Sequence, residues 1–111
     1  MRRIAAADRR AGRDALVTFR MIAPTVFEST DGYLVKGRDR DTIEYVEASR
    51  SAIVGVEFGI KSVCIFRKSV TGWLVDGQQT TLISEAEKET VVERVSAGMS
   101  FGGLLVERSP R

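Results

Sequence analysis

From Ala15 onward, apolar and polar positions alternate with a period of two, the repeat of a half-buried strand. Val17, Phe19 and Met21 alternate with Leu16, Thr18 and Arg20, and Pro24 ends the run. Residues 25–29 and 33–36 flank Thr30-Asp31-Gly32, a hairpin signal. A polar connection follows at residues 37–41. Residues 42–47 then set Ile43 and Tyr45 against Glu44 and Val46. In residues 52–60, Val54, Val56, Phe58 and Ile60 share one face, while Ile53, Gly55, Glu57 and Gly59 share the other. Residues 62–68 repeat the alternation. Residues 70–75, with Trp73, form another strand closed by the turn dipeptide Asp76-Gly77. Gly55 and Gly59, inside a strand, mark places where a helix or ring approaches the sheet.

The period changes once. Ser84-Glu85-Ala86-Glu87 reads as a capping box, in which the Ser hydroxyl serves one free N–H and the Glu reaches back. Val91, Val92 and Val95 supply a narrow apolar stripe, and Gly98 is a suitable C-terminal cap. The spacing thus predicts an amphipathic helix over residues 84–97. Residues 101–107 return as a short strand broken by Gly102-Gly103. This order, with short connections, predicts an α+β domain over residues 14–111. Its sheet is mainly antiparallel with about six to seven strands, one C-terminal helix and a last short strand.

Charge changes the picture at one end only. Met1–Arg13 carries five arginines against Asp8, a net of +4. The remainder carries 12 cationic and 14 acidic residues, a net of −2, and the two parts make the overall +2. A pI near 9.0 therefore describes a basic arm, residues 1–13, on a mildly acidic domain. Hydrophobic content of 43% is ordinary for a globular chain, and no apolar run approaches the ~20 residues that span a bilayer. One cysteine, Cys64, excludes an internal disulfide and suits a reducing cytoplasm.

Little reactive chemistry is visible. Without histidine, the commonest general base and most zinc sites are missing. Cys64 lies mid-strand with no basic neighbour to form a thiolate, so it reads as a packed thiol. Asp39-x-Asp41-x-x-Glu44 could hold a hard cation, but Ile43 breaks the calcium-loop pattern and Arg38 and Arg40 interleave the acids. A solvated turn is expected there. Gly98 to Gly103 follows a helix instead of preceding one, so it is no phosphate cradle. No catalytic residue, metal site or cofactor is expected. Trp73 suits either a core position or an interface anchor.

The segments Ser69-Val70-Thr71-Gly72-Trp73, Asp76-Gly77 and Ile83-Ser84-Glu85-Ala86-Glu87-Lys88 are followed by a helix ending before Phe101-Gly102-Gly103, and then by Glu107. Over residues 30–107 this arrangement resembles small immunity proteins of bacterial polymorphic-toxin systems, including contact-dependent growth inhibition. The resemblance implies a non-enzymatic cytoplasmic protein that binds and neutralises one cognate toxin, often a nuclease. Such toxins are frequently basic, which suits an acidic body. From charge alone, the expected partner-binding residues are Asp39, Asp41, Glu44, Glu47, Glu85, Glu89 and Glu93. The alternative is a small nucleic-acid-associated protein whose arginine arm contacts phosphates. A half-polar sheet also leaves an edge able to pair with a second copy, so a homodimer is a further expectation.

Overall fold

Alternation this regular leaves one face of each strand needing cover, and the chain supplies it with a single curled sheet wrapped on one helix. The structure, a computed structural model, describes residues 18–111. The basic arm and the first residues of the opening strand lie outside them. The described residues form β1 (Phe19–Ala23), β2 (Val26–Ser29), β3 (Tyr33–Asp39), β4 (Thr42–Glu47), β5 (Arg50–Gly59), β6 (Ser62–Phe66), β7 (Gly72–Val75), β8 (Gln78–Leu82), α1 (Glu85–Phe101) and β9 (Leu105–Ser109). The α+β class holds, with a mainly antiparallel sheet and one C-terminal helix before the last strand. No helix among the described residues is long and apolar enough to cross a membrane.

The main path runs β1-β2-β3-β4-β5-β6-β9, antiparallel except for the parallel β6–β9 pair. β5 is long enough to have different neighbours along its length. Arg50–Gly55 pairs with β4, Gly55–Gly59 pairs with β6, and Ser51 pairs with Leu74 of β7. Between β6 and β7 the chain leaves the ladder in a 3-10 turn at Arg67–Ser69. Ser69 Oγ fills the gap, accepting from the Gly55 N–H at 2.7 Å and donating to the Phe66 carbonyl at 2.5 Å. The close approach anticipated at Gly55 is thus made first by this serine, with the edge of the Phe66 ring next at 4.0 Å.

Nine strands exceed the six to seven expected. The main addition is β8, whose Gln78-Gln79-Thr80-Thr81 has no apolar alternation to announce it. It forms because Asp76 and Gly77 both take positive φ (53° and 81°), the conformation of a tight hairpin turn, and fold residues 78–82 back onto β7. The predicted face of β5 is buried only through Val56. Beyond the Thr42–Gly55 pairing β4 has ended, so Phe58 and Ile60 protrude, 43% and 95% exposed.

α1 lies on the concave face. Ser84 and Glu87 make the capping box, with Ser84 Oγ accepting from the Glu87 N–H at 3.1 Å and Glu87 Oε1 accepting from the Ser84 N–H at 3.0 Å. Val91, Val92, Val95 and Met99 pack on Val35, Ile43, Tyr45, Val54, Val63 and Ile65 to form the core. The helix does not stop at residue 97. Gly98 is an interior helical residue facing Val35, and the turn that ends the helix comes at Gly103, φ 93°. The last strand starts correspondingly later than expected, at Leu105.

A Cβ at residue 98 would stand 2.9 Å from Val35 Cγ2, and Val35 is fully buried and cannot swing away. On an open helix, Gly to Ala gains about 1 kcal/mol. Here Gly98→Ala is expected to lose about 1–2 kcal/mol in urea unfolding, as overpacking outweighs propensity. Adding Val35→Ala should recover part of that loss; a stabilised single variant would contradict the tight contact.

Candidate functional site

Residues far apart in sequence meet on the concave face because alternate positions of successive strands share it. Six of the eight aromatic side chains form an unbroken series of ring contacts there. Phe27 meets Phe101 at 5.8 Å between centroids, Phe101 meets Phe19 at 5.5 Å, and Phe19 meets Tyr33 at 5.8 Å. Tyr33 meets Tyr45 at 5.5 Å and Tyr45 meets Trp73 at 6.2 Å. Such offset and edge contacts add to the burial of each ring. Trp73, the ambiguous residue of the sequence, is a core residue only 2% exposed.

Two arginines cover this series. The Arg50 guanidinium sits 3.7 Å above the Trp73 ring centre, and that of Arg94 lies 4.8 Å from the centre of Tyr33. Both are tied to Glu47. Tyr45 Oη donates to Glu47 Oε1 at 2.6 Å and accepts from Arg94 Nη1 at 2.7 Å. Arg50 donates through Nε and Nη2 to Glu47 Oε2 at 3.1 and 2.8 Å, the fork geometry that favours arginine over lysine. Arg50 Nη2 also lies 3.6 Å from Glu87.

This network perturbs its members. Burial pushes the Glu47 carboxyl up, but the Tyr45 hydroxyl, Arg50 and Arg94 outweigh it and hold the group below its usual range. Burial, and then hydrogen bonding to that carboxylate, push the Tyr45 phenol far above its ordinary value. Glu87 is lowered chiefly by the Ser84 backbone N–H. The buried Trp73 indole N–H adds a weaker pull on Glu87 without making a hydrogen bond of good geometry.

The network floors a groove along α1. One part, about 310 Å³, is lined by Glu47, Arg50, Trp73, Glu87, Thr90 and Arg94. A larger part, about 830 Å³, continues past Tyr33, Glu93, Ala97, Phe19 and Phe101. Thr90 and Arg94 border both, so the two adjoin.

The seven acids anticipated as a docking surface are not one patch. Asp39 and Asp41 sit at the β3–β4 turn, beside Arg38 and Arg40. There the Asp39 carboxylate accepts from the Thr42 hydroxyl and the Asp41 N–H, which lower its pKa, so the expected solvated turn is present. Glu44 pairs with Lys36 on the convex face. Glu85 and Glu89 pair with Arg67, and Glu89 also with Arg108. Only Glu47 and Glu93 border the groove, and among the described residues Glu93 alone of the seven has no cation within ion-pair distance. The sequence pointed to acids; the structure adds Tyr33, Tyr45, Arg50 and Arg94. The alternation placing Tyr33 and Tyr45 inward was visible, but nothing local tied the arginines to them.

Comparison of the chain with family models, curated proteins and solved structures returns no significant match. The groove must be read from its own chemistry. Among the described residues no three metal-ligating side chains cluster, and Cys64 is half-buried on the convex face, opposite Glu57 and Glu107. Glu47, Arg50 and Arg94 satisfy one another over the aromatic series. Such a surface offers shape, two guanidinium groups and, among the described residues, two carboxylates without an ion pair, Asp31 and Glu93.

Glu47 supplies the pH dependence. Its folded pKa lies below the unfolded value near 4.3, so its contribution is complete above that value. It is lost as pH falls through the lower folded value. Glu47→Gln should therefore cost about 1 kcal/mol at pH 7 in chemical unfolding, a modest figure because solvent screens the partly exposed carboxylate. The gap between wild type and variant should close at pH values below the folded pKa; a gap independent of pH would contradict the ionic role.

Proposed function

We propose that this chain is a non-enzymatic protein-binding module of the immunity type, which binds a cognate toxin and blocks it. The observation that carries the reading is the groove along α1. Its surface presents Arg50 and Arg94, each held over a buried ring, and arginine is among the residue types that dominate binding energy at protein interfaces. Pre-ordering by Glu47 and Tyr45 lowers the entropy cost of engaging a partner. Support also comes from the element order that resembles immunity proteins, with the capping box and the strand after the helix in the anticipated order.

The acidic contribution is narrower than charge alone suggested. Most of the anticipated acids are engaged within the fold, so a basic partner would be met by Glu93 together with Asp31 at the groove margin. The nucleic-acid alternative rests on Arg2, Arg3, Arg9, Arg10 and Arg13, which lie outside the described residues. No feature of the described residues favours it.

The test is capture of a partner from the source organism at low salt. A stoichiometric protein that arrests growth when expressed alone, and not when co-expressed with this chain, is the expected result. Glu93→Arg should then weaken binding by on the order of tenfold or more, without loss of thermal stability. An empty capture, or a partner whose toxicity is unaffected, rejects the reading.

A further inference from the structure

The larger part of the groove has negative charge left over. Arg94 and Arg108 line it but are engaged by Glu47 and Glu89. Asp31 and Glu93 line it too, both exposed, and among the described residues neither has a cation within ion-pair distance. The described chain begins at this same place. The Thr18 N–H donates to Thr30 Oγ1 at 3.2 Å and the Thr30 N–H to the Thr18 carbonyl at 2.9 Å, which seats Thr18 beside Asp31. Phe19, the next residue, lines the groove itself and touches Tyr33 and Phe101. Residues 1–17 precede this point in the sequence and carry five arginines against Asp8 and Asp14, a net of +3.

From this juxtaposition we infer that the basic N-terminal segment of this chain docks in the groove of its own fold, with its arginines on Asp31 and Glu93. Charge selects the occupant, because the open groups are carboxylates and Arg9, Arg10 and Arg13 are joined to the groove by the chain itself. Length permits it. Arg13 lies five positions before Thr18 and Arg9 nine, about 17 and 31 Å of extended chain. The flank of α1 from Glu87 to Phe101 is about 21 Å long at the helical rise. Ala97 and Ser100, small and exposed, keep that flank low enough for a chain to lie along it. Exposed ion pairs are individually weak, but a tethered segment meets its site at an effective concentration on the order of millimolar. The segment of a second copy lacks that advantage. The consequence is self-masking: the arginines occupy the carboxylates that a basic partner would need, so such a partner must displace them. That consequence rests on the proposed function; the docking itself does not, and it is measured with no partner present.

The experiment is paramagnetic relaxation NMR on the full chain, carrying a nitroxide at Ala7→Cys in a Cys64→Ser background, with thermal melts to verify folding. The amides of Thr90, Glu93 and Ala97 should lose most of their intensity, while those of Glu44 and Glu57 on the convex face keep theirs. Asp31→Asn combined with Glu93→Gln, both at exposed positions, should restore the groove signals without lowering the melting temperature. Salt at about 0.5 M should do the same, since it cuts the range of exposed charges to about 4 Å. Broadening no greater in the groove than on the convex face, or broadening that survives either treatment, overturns the inference. So does equal broadening when nitroxide and isotope label sit on different copies. Failure here leaves the partner reading standing, and an empty capture leaves the docking standing.

Discussion

Alternating strands can bury their apolar face only if something covers it, and in this molecule the cover is one helix pressed close to the curled sheet. The contact at Gly98 and Val35 sets how close that helix comes. With α1 in place, Val91, Val92, Val95 and Met99 close the core from above, while Tyr45, Ile43, Val54 and Ile65 close it from below. Each buried aliphatic side chain is worth about 1.5–3 kcal/mol relative to exposure, so this layer is the main stabilising term. The groove is a consequence of the same contact, because it is the flank of the helix that the sheet leaves open.

The aromatic series and the ion network are mechanically coupled through Tyr45. Its ring is part of the stack between Tyr33 and Trp73, and its hydroxyl bridges Arg94 to Glu47. Burial of the ring therefore fixes where the charged groups stand. A guanidinium held over an aromatic face and forked to a carboxylate has few rotamers left to lose. The proposed binding role relies on this pre-ordering. In the part of the groove next to Trp73 the charges balance, because Arg50 and Arg94 are offset by Glu47 and Glu87.

Much of the architecture was legible in the chain. Period-two runs located the strands through residue 75, Ser84 and Glu87 marked the helix start, and Asp76-Gly77 marked a turn. Where reading failed, long-range contact had overridden a local cue. Gly98 resembles a helix stop in isolation, yet Val35, more than sixty positions earlier, makes it a packing glycine. Phe58 and Ile60 continue the apolar face of β5, but the neighbouring strand has already ended. The acidic residues were visible as charges, and the fold spent most of them on arginines that sequence could not assign as partners.

By itself, then, the order of residues determined most of the element types, the helix cap and the separation of a basic first stretch of sequence from a mildly acidic remainder. These depend on periodicity and on neighbours within four positions, which the chain carries explicitly. Tertiary structure alone decided that six rings would touch, that Arg50 and Arg94 would lie on two of them, and that Glu93 would stay open while its companions were paired. Those outcomes require register between strands and the seat of the helix, and both are settled by packing over distances no local pattern records.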